Sequence, residues 1–153
     1  MCRRYTLSAD GSRLERIPWI DEFRTNHRPQ YNIAPGKLAP IVRSDRREHL
    51  ILDSIRWGPV PSWADDPSVG HRLPSVPVHE VNTDPAFQTS FRARRCLLLA
   101  DGFYLWRSGE DGTRRLCWFH RPDRSIFAIA GVWEEWASKG SHECLLTFAM
   151  LTI

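Results

Sequence analysis

What this chain lacks narrows the field before any motif is read. No apolar run approaches the ~20 residues of a membrane-spanning helix, and the N-terminus has no apolar stretch of the secretory kind. The expectation is an intracellular, cytoplasmic protein with no membrane partner. Cysteine is sparse and scattered: Cys2, Cys96, Cys117 and Cys144 form no CxxC pair, so no disulfide framework is expected. The six histidines are equally dispersed, which leaves no clustered ligand set for zinc and no cofactor in the expectation. Lysine is almost missing, since Lys37 and Lys139 are the only lysines among 21 basic residues. There is no internal repeat and no low-complexity tract.

What is there is an ordinary globular composition. With 42% hydrophobic and 25% charged residues, the 153-residue chain reads as one domain over 1–153 with a proper core, and as a monomer. The basic residues are arginines, clustered at Arg3-Arg4, Arg46-Arg47, Arg92/Arg94/Arg95 and Arg114-Arg115 among seven tryptophans. Guanidinium forks suit phosphate and their planes stack on bases, so nucleic acid becomes a candidate partner. Acids at Asp65-Asp66 and Glu134-Glu135 argue against a uniformly basic face.

The local pattern is mostly strand. SRLERIPWIDEFR (12–24) predicts a short helix with Ser12 as N-cap and Glu15 completing a capping box, interrupted at Pro18. YNIAPGK (31–37) reads as a strand end entering a Pro-Gly turn. LAPIVRS and HLILDSIRWG predict two strands around a polar turn at 44–48. The proline-rich stretch that follows is a loop long enough to carry function, and DPAFQTSFRARR predicts a helix opening at Asp84 with Pro85 at its first position. CLLLADGFYLWR and RRLCWFHR read as strands flanking a SGEDGT turn, and SIFAIAGVWEEW and ECLLTFAMLTI as two more. Trp106, Trp118, Trp133 and Trp136, lying in these runs, are expected in the core, and Cys96 and Cys117 as inert buried thiols. His120 and His142 read as surface or satisfied core groups. The last run ends at Ile153, which predicts a C-terminally incomplete strand layer with unpaired partners. The fold class is α+β, mainly antiparallel β with short helices.

The opening, MCRRYTLS, places a cysteine behind the initiator methionine. Removal of Met1 is favoured by a small second residue and leaves Cys2 as a 1,2-aminothiol. Such a group condenses with an aldehyde to a five-membered thiazolidine, which an internal cysteine cannot do.

The motifs MCRRY, YNIAPGK, WGPVPSWADDPSVGHRL, PAFQTSF, RRCLLLADGFYLW, FAIAGVWEEW and TFAMLTI, in that order, resemble the SOS response-associated peptidase (SRAP) family of abasic site processing proteins. The resemblance implies a mixed fold with a barrel-like β core and a basic DNA cleft. It implies that Cys2, freed of Met1, cross-links to the ring-opened aldehyde of an abasic site in single-stranded DNA, with an associated thiol-peptidase activity in the DNA damage response. It further implies DNA contacts at Arg4, at Asn32 and Pro35 beside the nucleophile, and at Trp63, whose indole would pack on bases.

The sequence departs from the family pattern at the groups that would move protons. Leu105 stands in DGFYLW where the family has a glutamate, and the ungapped alignment puts Ser75 at the family asparagine and Pro77 at its arginine. The family histidine has no counterpart, and Arg3 replaces the usual glycine. A mismatch confined to 75–80 between matching flanks is the pattern that two compensating frameshifts in the gene would leave. Two other readings accompany the cross-linker: a non-catalytic single-stranded DNA-binding remnant, and a non-functional pseudogene product.

Overall fold

The computed structural model describes residues 4–72, 74–138, 140 and 143–153. Among the described residues, eleven strands and three short α-helices follow one another. The strands are β1 (Tyr5–Leu7), β2 (Glu22–Phe23), β3 (Gln30–Ile33), β4 (Leu38–Ser44), β5 (Leu50–Trp57), β6 (Ser75–Pro77), β7 (Arg95–Ala100), β8 (Gly102–Ser108), β9 (Arg114–His120), β10 (Phe127–Ala137) and β11 (Cys144–Thr152). The helices are α1 (Gly11–Leu14), α2 (Val78–Val81) and α3 (Pro85–Ala93).

Five strands in the order β5-β4-β7-β10-β11 close on themselves, because β11 also pairs with β5 through Thr147↔Arg56 and Phe148↔Trp57. The closing pair is parallel while the other four ladders of the ring are antiparallel. Closure removes the edges that a flat sheet would leave open. β2 attaches outside to β5, and β6 to the end of β11. β11 is therefore paired on both sides, with β10 on one and with β5 and then β6 on the other.

The second sheet has four strands in the order β3-β1-β8-β9. The main core joins it to the barrel: Tyr5 packs on Trp57 at 5.3 Å between ring centroids, and Trp57 stacks on Phe148 at 6.0 Å. A smaller cluster of Val76, Val81, Phe87, Val132 and Ala149 seats α2 and α3 on the outside of the barrel. α3 begins where the sequence places it, with the Asp84 side chain accepting from the Ala86 N–H and Pro85 in the first turn.

Four expectations need correction. The first helix is capped by Asp10, not Ser12, and spans only four residues; the Asp10 carboxylate takes both the Arg13 N–H and the Ser12 hydroxyl. CLLLADGFYLWR is two strands in two sheets, because the chain turns at Asp101. Trp106 is 60% exposed and Trp118 37% exposed, since both point to the open face of the second sheet; Trp136 is buried as expected, and Trp133 half-buried. Cys96 is buried, Cys117 only partly so, and His120 is exposed; His142 lies outside the described residues.

Asp101 makes the junction between the two sheets. Its carboxylate is buried and accepts from the Thr6 hydroxyl, the Ser8 hydroxyl and N–H, and the Ala9 N–H, at 2.6 to 3.1 Å. Burial pushes the carboxyl up, but the bonds from Ser8, Thr6 and the amides outweigh it and hold the group below its ordinary value of 3.8. Asp101→Ala is expected to cost about 3 kcal/mol, because it strands several buried donors at once. A depressed folded-state value also means that Asp101 stabilises the protein above 3.8 and that this is lost as pH falls through the lower folded value. Thermal melts from neutral pH down to pH 2 test both: wild type should lose stability across the acid limb, and Asp101→Ala should start lower and lose less.

Candidate nucleic-acid interface

β1 is an interior strand of the second sheet, with β3 on one side and β8 on the other. Cys2 and Arg3 lie outside the described residues. The carbonyl of Arg4 accepts from the Tyr104 N–H at 3.0 Å, continuing the β1–β8 ladder beyond Tyr5. Its guanidinium donates to Asn32 Oδ1 at 2.7 Å across to β3. Two of the expected DNA contacts, 28 residues apart, therefore form one exposed pair. Tyr31, 65% exposed beside Asn32, is a candidate that the sequence reading passed over. Its signal was a tyrosine directly before Asn32 in YNIAPGK; the Tyr104 hydroxyl donates to its carbonyl at 3.0 Å.

Pro35 sits in the turn that ends β3. The Lys37 N–H donates to the Ala34 carbonyl at 3.1 Å, and Gly36 has φ 87°, so Ala34-Pro35-Gly36-Lys37 is a type II turn. Proline presets the first central position, and the second requires the left-handed conformation that glycine adopts at no steric cost. The turn is stitched to the end of β5: Gly36 N–H donates to the Trp57 carbonyl at 2.7 Å and Trp57 N–H to the Lys37 carbonyl at 2.9 Å. The loop carrying Trp63 begins at Gly58, so turn and loop share one root.

Trp63 is 67% exposed, yet its loop is anchored. The Trp136 indole N–H donates to the Ala64 carbonyl at 2.7 Å, the Ala64 N–H to the Pro61 carbonyl at 2.9 Å, and the Val60 N–H to the Thr147 hydroxyl at 3.0 Å. Val60, Ala64 and Trp136 form a small buried cluster beneath. An indole that contributes nothing to the core is thus held outward on a fixed base.

Leu105 pairs with Cys117 on β9 and lies half-buried on the face shared by Phe103, the partner of Tyr5. It stands one step beyond that pair toward the start of β1, with no group that carries a proton. Ser75 is buried on β6 opposite Met150, and Pro77 caps α2. Among the described residues, no group of three or more His, Cys, Asp or Glu is placed to hold a metal ion, and no helix is long and apolar enough to cross a membrane.

Much of the arginine richness is structural. At the barrel mouth formed by the ends of β4 and β10, a hollow of about 520 Å³ is lined by Arg24, Arg43, Arg46, Arg94 and Trp133. Arg24 pairs with Glu22, Arg43 with Asp53 and Arg94 with Glu134, while Arg43 and Arg94 also lie over the Trp133 ring at 5.0 and 5.5 Å. Burial pushes the Glu134 carboxyl up against the opposing pull of Ser90 and Arg94.

A closed five-stranded barrel, joined to a second sheet whose first strand opens beside an exposed arginine–asparagine pair, defines a mixed α+β fold. The chain belongs to the SOS response associated peptidase (SRAP) family, whose profile matches residues 1–153. It is 30% identical over 155 residues to the abasic site processing protein YoaM of Bacillus subtilis, a match covering 99% of this chain and 67% of that protein. It is 28% identical to YoqW of the same organism, covering 89% of this chain and 61% of the relative. The abasic site processing protein HMCES of Gallus gallus is 26% identical, over 100% of this chain and 57% of its own length. The chain thus spans about three fifths to two thirds of these relatives. A solved protein of Bacteroides thetaiotaomicron shares the fold with a TM-score of 0.84 at 18% identity, over 98% of this chain and 67% of that one.

Trp136→Phe keeps the ring under the loop and removes its N–H donor. It is expected to cost about 1–2 kcal/mol and to speed proteolysis within 59–69 while other sites stay protected. Limited proteolysis with mass mapping checks this; cleavage spread over the whole chain would mean that Trp136 supports the barrel at large and not the loop.

Proposed function

We propose that this chain is an abasic site processing protein that engages single-stranded DNA, with Cys2 of the single domain 1–153 as its N-terminal nucleophile. The observation that carries the reading is the Arg4–Asn32 pair at the exposed start of β1. Two residues of extended chain span at most about 7 Å, so an N-terminal cysteine is tethered within that reach of the Arg4 Cα, whose side chain makes the pair. Arg4 would meet a backbone phosphate, Asn32 and Pro35 would line the strand's path, and the Trp63 indole would take a base on its face. A substrate of this kind places the protein with the DNA, inside the cell.

The chemistry is a condensation. The Cys2 amine adds to the ring-opened aldehyde and water leaves, giving a Schiff base. The thiol then adds across the C=N bond, its proton passing to nitrogen, and closes the thiazolidine. Positioned acid–base groups typically accelerate such steps ~10²–10⁴-fold. With Leu105 and Ser75 at the positions where the family resemblance expects glutamate and asparagine, the reaction here runs on proximity, close to the rate of free cysteine held near the lesion. Peptidase release of Cys2 from a blocking residue is more completely lost, because amide cleavage has no comparable uncatalysed route.

The test is a time course of adduct formation on an abasic-site oligonucleotide, resolved by denaturing electrophoresis. The native chain should form adduct slowly, Cys2→Ala none, and Leu105→Glu with Ser75→Asn more quickly. Trp63→Ala should leave the melting temperature unchanged and weaken oligonucleotide binding by about 5- to 150-fold, the worth of one base stacked on an aromatic ring. Adduct surviving in Cys2→Ala overturns the nucleophile. Binding without adduct in every variant favours the non-catalytic DNA binder.

A further inference from the structure

The connection between β2 and β3 runs over the surface, with Arg24, Asn26, Arg28 and Pro29 exposed and Thr25 half-buried. One side chain of it turns the other way. His27 is 6% exposed, and its Nε2 lies 3.2 Å from the Leu7 carbonyl at the end of β1. A polar ring buried without a hydrogen bond is costly, so this contact is what makes the inward turn tolerable. A carbonyl only accepts, so Nε2 carries the proton and donates.

Leu7 is where such a bond has leverage. Tyr5 pairs with Ile33 and Leu7 with Gln30, so two steps along β1 match three along β3. β3 thus bulges at Tyr31 and Asn32, and a bulge re-aims the side chains it carries. Across this offset Asn32 Oδ1 meets the Arg4 guanidinium at 2.7 Å. Asp101 and His27 grip the far end of β1 with opposite polarity: the carboxylate takes the N–H groups of Ser8 and Ala9, and the imidazole takes the carbonyl of Leu7.

We propose that His27 is a positioning residue and an acid-sensitive latch: its neutral ring pins the β1–β3 offset that sets Arg4 beside Asn32, and its protonation releases that pin. Burial is the largest influence on the ring and holds its protonation below the ordinary value of 6.5, against the pull of the Leu7 and Ala9 backbone and of the Asp101 charge. Asp101 acts on it from the β7–β8 junction. Glu15, just after α1, lines the shallow hollow beside the ring, and the Asp10 carboxylate is committed to Ser12 and Arg13. Arg24 and Arg28 flank it on its own connection, Arg24 paired with Glu22. A histidine held below 6.5 in the fold takes its proton more readily once the ring has swung into water. The latched form is therefore fully favoured above 6.5 and loses ground as pH falls from there toward the lower folded value. Asp101 titrates below 3.8, so the two groups act in separate windows.

The latch itself needs no DNA, whereas its effect on Cys2 rests on the abasic-site reading proposed above. Amide hydrogen exchange from about pH 7.5 to about pH 5 reads the latch directly. Protection of the Ser8 and Ala9 amides should fall relative to those of Leu98 and Leu99 in the barrel, by up to about tenfold per pH unit below 6.5. His27→Gln keeps a donor for Leu7 and cannot titrate, so its relative protection should not change with pH. In the native chain the nitrogen chemical shifts of His27 should show Nε2–H and a titration below 6.5. Cys2-dependent adduct on an abasic-site oligonucleotide is read as the ratio of native to His27→Gln rates, in which the pH dependence of the condensation cancels. That ratio should fall over the same range. If His27→Gln does not fold, the ring titration and the amide protection of the native chain decide. Flat native protection, a ring titrating at or above 6.5, or an equal fall in His27→Gln each overturns the latch. Falling protection with a level adduct ratio overturns its hold on the site. Falling protection with no adduct in any variant at any pH upholds the latch and counts against the abasic-site reading instead.

Discussion

The buried carboxylate of Asp101 takes hydrogen bonds from Thr6, Ser8 and Ala9, and the whole N-terminal region is arranged around that clasp. It sits where the chain leaves the barrel at Ala100 and enters the second sheet at Gly102, and the Asp101 N–H donates to the Thr6 carbonyl at 2.9 Å. A β1 of only three residues has little ladder of its own to hold it. The charge-assisted bonds at its far end, with Tyr5 wedged onto Trp57 at the near end, hold it from both sides. Gly102 completes the junction: a Cβ there would come within 2.1 Å of the Trp118 indole nitrogen, which itself reaches the Thr6 hydroxyl at 3.2 Å. Placement of β1 then aims Arg4 at Asn32.

The barrel meets a different requirement, that of a fixed foundation for mobile chemistry. Its closing pair at Thr147 and Phe148 is also where the Trp63 loop is pinned, because the Thr147 hydroxyl accepts from Val60 and the Phe148 carbonyl from Gly58. The turn at Pro35 ties to the same end of β5 through Trp57. Loop, turn and N-terminal strand thus converge on one tryptophan that is itself fully buried and bonded to the Pro74 carbonyl. Strain or loosening at Trp57 would reach all the proposed contacts together.

The barrel strands were legible from local signals because each carries a strong apolar run of its own, as LAPIVRS and SIFAIAGVWEEW do. Helix α3 was legible for the same reason, with Asp84 and Pro85 writing its start. The failures lie where a long-range contact overrides the local pattern. Nothing near Asp101 announces that it will break an apolar run, since its partners are more than 90 residues away. Trp106 and Trp118 read as core because apolar strand residues usually are; which face of the second sheet is covered depends on the barrel, and a sequence pattern of period two cannot say. The Arg4–Asn32 pair was present in the sequence only as two separate family-like positions; the sheet order made them neighbours.

The remaining thiols bear on how selectively an N-terminal cysteine can act. Thiolate, not thiol, is the nucleophile. Burial pushes the Cys96 thiol far up, which keeps it protonated and inaccessible. Cys144 is exposed, but its thiol donates to the Glu135 carboxylate at 3.3 Å, a bond that raises its value, with burial and the carboxylate's charge acting in the same direction. Cys117 is a third free thiol, partly buried on β9. All three are internal residues without an α-amine, so none can complete a thiazolidine even where it meets an aldehyde. The proposed aminothiol chemistry is thus open only to a cysteine that carries a free α-amine. In that proposal selectivity comes from the aminothiol itself and needs no catalytic group, so leucine at 105 bears on rate and not on specificity.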